Sequence, residues 1–389
     1  MSKDTAFTKS NKLATKEMSL QKKEVVAKNS KKKFNYTVFI ARCQPPHLSH
    51  VEIINRALKM SDKIIILLGS ANKARDIKNP FTWREREEMV RDCFSPNDQT
   101  KILVKGISDT YNDQTWVRTI QETVENVIRG DRMSTYKQDP STLDNVVFDP
   151  KIGLIGHEKD DTSYYLKLFP QWKMIEVENI DDLNSTDIRT MMFELQQLDR
   201  NLIPEGVVDY IEAFMHSEEF IKLIEEYRFL QLYRSHFAVL KYPPVFVTTD
   251  AVVTCGGHVL LVKRRSSPGK GTWACVGGFI GQNELIEDSM IRELKEETKI
   301  KVPIPVLKGN IKHIQVFDNP NRSLRGRTIT HAYLINLPPQ PDGKLPQVKG
   351  SSDAAKAQWV PLTVVEKMQD QMFEDHYTLV NKMLDHIGT

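Results

Sequence analysis

Cysteine is scarce. Four thiols, Cys43, Cys93, Cys255 and Cys275, are spread through 389 residues. They lack the paired spacing of a metal knuckle and are too sparse for a disulfide framework, so a reduced, cytoplasmic compartment is expected. Long hydrophobic runs are missing as well. No stretch approaches the roughly 20 apolar residues of a bilayer span, and no signal-peptide core follows Met1, so no membrane association is expected. No charge sign dominates. The formal net charge is +3, which gives no footprint for nucleic acid, and no basic recognition helix stands out. Arginine is absent from residues 1–33, which are rich in Lys, Ser, Thr and Asn. That segment is expected to be a disordered, solvated tail, with a polyanion-binding arm as the alternative. An organellar transit peptide would be Arg-rich and poor in acids.

What is present is a globular composition, 40% hydrophobic and 27% charged, in a chain too long for one core. About two or three domains are expected. Residues 34–225 alternate strand and helix. Tyr36–Ile40 and the continuous apolar run Lys63–Leu68 read as buried parallel strands, and Val51–Met60 as an amphipathic helix between them. Further helices are predicted over Glu85–Cys93 and Thr115–Ile128. Further strands are predicted over Lys101–Lys105, Lys151–Ile155 and Lys173–Val177, with Tyr164–Phe169 as another element. This is a doubly wound α/β pattern, whose ligands bind at the carboxyl ends of the strands. A helix over Glu218–Leu240 spans a connector at 226–243, broken by Lys241-Tyr-Pro-Pro244. Residues 244–389 then read as strands and helices, with a hairpin at Gly256-Gly257 and a last helix near Phe373–His386.

Three segments carry chemistry. Arg42-Cys-Gln-Pro-Pro-His-Leu-Ser-His50 falls between the first strand and first helix. Its prolines stiffen the turn, and His47 and His50 share one face of the helix entrance, where backbone N–H groups attract anions. A pair of surface or capping histidines would read the same way. Asn184-Ser-Thr-Asp-Ile-Arg189 is a second helix start, with Ser185 or Thr186 as the expected N-cap and Arg189 able to face a polyphosphate. Together these segments resemble the nucleotidyltransferase superfamily, more closely the archaeal-type nicotinamide mononucleotide (NMN) adenylyltransferases. Gly69-Ser-Ala71, Asn79-Pro-Phe-Thr82, Arg84-Glu-Arg86 and the Trp116 region extend the resemblance over about Phe34–Tyr210. Ala41, Cys43 and Ser49 depart from it, standing where the family usually has Gly, Phe and Gly. The resemblance implies a Rossmann-like domain with a parallel sheet that transfers adenylyl from ATP to NMN, giving NAD and pyrophosphate. It places His47 and His50 on the ATP phosphates, Arg189 on the leaving phosphates and Trp116 against the nicotinamide ring. Arg42, Gln44, Ser70, Asn79, Ser185 and Thr186 complete the implied substrate contacts. Another phosphorylated acceptor, such as phosphopantetheine, is the alternative.

The third segment begins Gly278-Phe-Ile-Gly-Gln-Asn-Glu284 and continues to Arg292-Glu-Leu-Lys-Glu-Glu297. Glu293, Glu296 and Glu297 follow helical spacing on one face, so their mutual repulsion is expected to be relieved by a hard divalent cation, Mg2+ or Mn2+. Arg292 is expected to pair with Glu284. A solvated acidic helix face is the plain alternative. The spacing resembles the Nudix box, departing only at Lys299, where the family has a helix-ending glycine. The resemblance implies an α/β/α sandwich around a mixed sheet, with metal on Glu293, Glu296, Glu297 and the Gly278 backbone, and Glu296 as general base. Phe317–Arg322 and Arg325-Gly-Arg327 resemble a segment of ADP-ribose-hydrolysing Nudix proteins, which implies substrate contacts from Arg322 and Arg325 in a basic loop. The expected protein is thus bifunctional, making NAD and cleaving ADP-ribose to AMP and ribose 5-phosphate. The alternative is a Nudix domain that senses ADP-ribose or NAD, or that cleaves another dinucleotide such as NADH. A homo-oligomer is neither implied nor excluded.

Overall fold

The computed structural model describes residues 32–138, 149–156, 166–177 and 183–387. The expected tail lies outside these residues apart from Lys32 and Lys33, as do Tyr164 and Tyr165 of the expected element there.

Five parallel strands form the first sheet: β1 (Phe34–Ala41), β2 (Ser61–Leu68), β3 (Ile102–Gly106), β4 (Ile152–Gly156) and β5 (Lys173–Glu176), in the order β3-β2-β1-β4-β5. Helix α1 (Leu48–Met60) links β1 to β2, α2 (Trp83–Asp92) and the short α3 (Pro96–Gln99) precede β3, and α4 (Asp113–Gln138) follows it. Side chains alternate across the sheet, as a strand's period of two demands. Val38, Ile65 and Leu67 pack on one face with Ile120 and Val124 of α4. Phe39, Ile64 and Ile66 pack on the other with Ile53 and Ile54 of α1. Strand order reverses at β1, so the segment leaving β1's carboxyl end enters the crevice where such sheets bind ligands.

Thr82 caps α2. Its hydroxyl accepts from Glu85 N–H, while Glu85 accepts from Thr82 N–H at 2.7 Å. The helix therefore starts two residues before the sequence expectation, on a Thr-x-x-Glu capping box. Helices α5 (Ser185–Thr190), α6 (Glu205–Phe214) and α7 (Glu218–Ser235) build a further layer, in which Ile188, Val208, Phe220, Leu223 and Leu230 share one core. Helix α7 runs unbroken through the expected 225/226 border, because its apolar residues on both sides of that point pack into this core. It ends at Ser235, five residues before the sequence expectation.

The second sheet is mixed. Strands β6 (Phe246–Cys255), β7 (His258–Arg264), β8 (Trp273–Ala274), β9 (Val276–Phe279), β10 (Ile311–Phe317), β11 (Thr328–Leu337) and β12 (Ala354–Pro361) follow the path β10-β11-β6-β7-β12, with β8 on β7 and β9 on β6. The β6–β11 pairing is parallel and the others are antiparallel. Gly256 and Gly257 turn the hairpin at φ +52° and +73°, which suits glycine. Helix α8 (Ile286–Thr298) and α9 (Ile304–Gly309) cover one face through Met290, Leu294 and Leu307. The small α10 (Leu362–Val365) and α11 (His376–Leu384) cover the other through Val365, Leu379 and Met383. This is the expected α/β/α sandwich. Strands β8 and β9 carry too short an apolar pattern, interrupted by Gly277 and Gly278, to be read from sequence.

Lys299 ends α8 in the left-handed conformation, φ +46°, and is exposed. A side chain there costs roughly 1–2 kcal/mol that glycine does not. Lys299→Gly is therefore expected to raise the stability of the C-terminal domain by about 1 kcal/mol. An unchanged urea midpoint for that domain's transition would count against this account of the turn.

Two candidate active sites

The first site gathers on the turn after β1, which is held from several directions. Gln44 is buried, and its amide group pairs with the Phe81 peptide in both senses: Nε2 donates to Phe81 O at 2.7 Å, and Oε1 accepts from Phe81 N–H at 3.1 Å. The expected substrate contact by this side chain is thus corrected, because both ends of the amide are engaged inside the protein. Ser185 donates to Pro45 O at 2.9 Å and Arg189 to Gln44 O at 2.6 Å, so the second predicted segment lies directly against the first. The N-cap of α5 is Asn184, whose Oδ1 accepts from the N–H groups of Thr186 and Asp187. Ser185 and Thr186 therefore do not cap. Their hydroxyls face Pro45 and Arg189 instead, with Arg189 donating to Thr186 Oγ1 at 3.1 Å.

Charge accumulates at this turn. Burial, then the nearby Arg42 guanidinium, lowers the Arg189 pKa to about 10. Arg42 itself is exposed. Two guanidiniums that disfavour one another are relieved by a bound polyanion. His47 is buried, and its ring lies 3.7 Å from that of His50, tilted by 37°. His50 Nδ1 accepts from His47 N–H at 3.2 Å. Burial, then His47, pushes the His50 pKa well below the ordinary histidine value. His50 therefore enters neutral, suited to hydrogen bonding rather than to charge pairing.

The remaining expected contacts sit nearby along the strand ends. Ser70, at φ +51°, directs Oγ to Asp109 Oδ2 at 2.6 Å. Asn79 is buried. Its Nδ2 donates to Asp76 Oδ1 at 3.1 Å, and its Oδ1 has no hydrogen-bond partner among the described residues. Trp116 is half-buried in the first turn of α4, edge-on to Phe169 at 5.9 Å and packed on the core.

The second site lies where β9 meets α8. Gly277 and Gly278 permit the contact. A Cβ on Gly277 would fall 2.0 Å from Thr249 O, and one on Gly278 would fall 2.5 Å from Glu293 Oε1. Glu297 is buried, and its Oε2 has no hydrogen-bond partner among the described residues. Burial, then Glu293, raises its pKa to about 8, against an opposing hydrogen bond from Gly277. Burial likewise raises that of Glu293.

Arg292 changes the expected picture of three repelling glutamates. It donates to Glu284 at 3.0 and 2.7 Å, the expected pairing, and also to Glu293 at 2.8 Å and Glu296 at 3.2 Å. Glu284 is held down to about 2, chiefly by Arg292. Among the described residues no three His, Cys, Asp or Glu side chains are already grouped to hold a metal ion. The repulsion is thus relieved in part by a cation of the chain itself, and Glu297 keeps an uncompensated buried oxygen. Such hard oxygen donors still fit a divalent cation, since Glu297 is the group an ion would neutralise.

The loop carrying Arg322 and Arg325 is not a free basic loop. Arg322 is buried and grips Asp375 with two bonds of 3.0 Å, and Asp375 also accepts from Tyr111 of the first domain at 2.7 Å. Leu324 is inserted into the helical core of the first domain. The expected substrate contact by Arg322 is therefore corrected, because a carboxylate already satisfies it in a dry site. Arg325 lies over the Phe279 ring at 4.9 Å, with Nε buried and without a hydrogen-bond partner among the described residues. Arg264, which is not among the expected site residues, lies over Phe373 at 4.0 Å. Burial, then Arg325, lowers its pKa, while Glu374 and Glu297 oppose that. Arg264 is thus a second cation near the acidic helix, close to Glu297, and Arg325 lies close to Arg264. The Arg264-Arg265 pair ending an apolar strand was the available signal.

Residues 38–191 match the Cytidylyltransferase-like family and residues 245–383 the NUDIX domain family. A nicotinamide/nicotinic acid mononucleotide adenylyltransferase of Acinetobacter baylyi is 39% identical over 197 residues, 50% of this chain and 95% of that protein. An ADP-ribose pyrophosphatase of Methanocaldococcus jannaschii is 29% identical over 154 residues, 40% of this chain and 80% of that protein. A crystal structure of a bifunctional NMN adenylyltransferase/ADP ribose pyrophosphatase from Francisella tularensis matches at TM-score 0.81 and 30% identity, covering 91% of this chain and 100% of that one. A second structure of the Francisella protein is complexed with AMP and Mn ion. With each half matched by its own relative and both by one two-domain structure, this chain belongs to the family of bifunctional NMN adenylyltransferase/ADP-ribose pyrophosphatases.

Proposed function

We propose that the first domain joins ATP and NMN into NAD and pyrophosphate, and that the second hydrolyses ADP-ribose to AMP and ribose 5-phosphate. The observation that carries the reading is a charge imbalance in each site: Arg189 beside Arg42 in the first, and the partnerless Glu297 oxygen in the second. Each is corrected by the polyphosphate or cation that the chemistry supplies.

In the first site the NMN 5′-phosphate oxygen forms a bond to the ATP α-phosphorus as the bond to pyrophosphate breaks. The chain's task is alignment and neutralisation of charge. His47 and His50 donate hydrogen bonds to the phosphates. Arg42 and Arg189 take the negative charge of the leaving pyrophosphate, Ser185 and Thr186 set the rim, and Ser70 and Asn79 line the nucleoside side. Trp116 offers a ring face to nicotinamide. Gln44 acts from behind, as a clamp on the turn.

In the second site Glu293, Glu296, Glu297 and the Gly278 backbone would hold a divalent cation, Mg2+ or Mn2+, which when bound polarises the diphosphate and acidifies water. Glu296 is the most exposed of the three carboxylates and is assigned the proton from the attacking water. Arg325, joined by Arg264, steadies the diphosphate. Four free thiols accord with a reducing, cytoplasmic setting, and among the described residues no helix is long and apolar enough to cross a membrane.

The direct test is the purified chain with a divalent cation. NAD must form from ATP plus NMN, and AMP must form from ADP-ribose. No NAD would refute the first half. Binding of ADP-ribose without turnover would make the second domain a sensor instead, and faster cleavage of NADH would change its substrate.

A further inference from the structure

Arg86 on α2 is fully buried, yet every hydrogen bond it makes goes to a backbone carbonyl. Nε donates to Thr82 O at 3.3 Å. One terminal nitrogen donates to both Arg42 O and Gly69 O, the latter at 2.9 Å, and the other reaches Ser70 O at 3.4 Å. Burial lowers its pKa to about 10. A buried cation without a carboxylate in its grip is costly unless its donors find other partners, and here four of the five N–H groups bond carbonyls, three of them on the two segments Arg42 and Gly69–Ser70.

The two segments share an unusual feature. Cys43 and Ser70 have φ of +50° and +51°, left-handed values that disfavour any residue with a Cβ. Each directly follows a carbonyl held by Arg86, that of Arg42 or that of Gly69. In a planar trans peptide, fixing the carbonyl also fixes the opposite direction of the following N–H. The same grip sets Arg42: a Cβ on Gly69 would lie 3.5 Å from Arg42 Cγ, so the arginine stem runs across that glycine.

We infer that Arg86 is a positioning residue of the adenylyl-transfer site, locking two strained turns so that Arg42 and the His47 turn meet the ATP phosphates. This rests on the proposed reaction of the first domain. Arg86 itself touches no substrate.

The two activities of one chain provide the test. Arg86→Met, Arg86→Lys and the parent protein are assayed for NAD formation and for ADP-ribose hydrolysis. Arg86→Met is expected to raise KM for ATP by about tenfold to a hundredfold, with a much smaller change for NMN, because misplacement falls on the phosphate side. Hydrolysis stays at the parent rate. Arg86→Lys keeps the charge but not the fork, and is expected to recover part of the loss. An unchanged KM for ATP in Arg86→Met overturns the inference. So does an equal rise in both substrates' KM, or a loss of both activities together in both variants, which would make Arg86 a general support of the fold. A parent chain that makes no NAD refutes the reaction assigned to the domain; an active parent with an indifferent Arg86→Met refutes only this role.

Discussion

Glu297→Gln is expected to end ADP-ribose hydrolysis and, at the same time, to stabilise the metal-free protein at alkaline pH. The activity loss follows from removing the one buried carboxylate oxygen left without a partner among the described residues. Losing a ligand of this kind is expected to cost on the order of a hundredfold or more in metal affinity or turnover. The stability gain follows from linkage. The folded carboxyl has its pKa raised to about 8, chiefly by burial, from an ordinary value of 4.5. Between those values the folded state holds a proton that the unfolded state has released, so stability falls as pH rises through that window. Above pH 8 the full penalty applies, on the order of a few kcal/mol. A glutamine carries no charge to desolvate and can still accept from Gly277. Melting curves in chelator at pH 5 and pH 8.5 should therefore diverge between parent and variant only at the higher pH. Excess Mg2+ or Mn2+ should raise the melting temperature of the parent and not that of Glu297→Gln, since only the parent gains by mass action. NAD synthesis is the internal control and should be unaffected. A pH-independent difference, or a variant that hydrolyses at the parent rate, would remove Glu297 from the site.

Arg322→Met is expected to be among the most destabilising single changes in the chain. The guanidinium is 5% exposed and makes two 3.0 Å bonds to Asp375. Deleting it leaves a carboxylate in a dry site, with the Tyr111 hydroxyl as the only remaining side-chain donor among the described residues. Breaking a buried pair from one side costs about 3–5 kcal/mol. The effect should reach both activities, because Asp375 and Leu324 join the two domains. Adding Asp375→Asn to Arg322→Met should recover much of the loss by removing the stranded charge. A mobile substrate-contacting arginine would give the opposite pattern: a higher KM for ADP-ribose, unchanged thermal unfolding, and no rescue by the second substitution.

These expectations mark the border of what could be read from the chain. The Gly278–Glu297 segment was legible because its chemistry is local. A glycine approach, an Arg–Glu pair and helical spacing all lie within one strand, turn and helix, so distances follow from the backbone period. The continuous apolar run of β2 and the alternation of strand and helix were legible for the same reason. The histidine turn was legible as the link that follows a strand and opens a helix, because both flanking elements carry strong local patterns. Gln44, Arg322 and the cap of α5 were not. Gln44 is polar, in a turn and beside the histidines, yet its partner is the Phe81 peptide. Arg322 sits in a sequence full of charge and turn residues, yet its partner is Asp375. Asn184 precedes two hydroxyl residues that cap equally well, so local pattern does not separate the three.

By itself the sequence determined which reactive groups exist, which of them share a face, and that two separate layered domains carry them. Those properties depend on neighbours within a few residues. Only the tertiary structure decided which of the groups are free to meet a ligand. It left His50 neutral, one Glu297 oxygen without a partner among the described residues, Arg292 shared among three carboxylates and Arg322 locked between the domains. Charge state and availability depend on burial and on partners brought from distant parts of the chain, and neither can be counted along it.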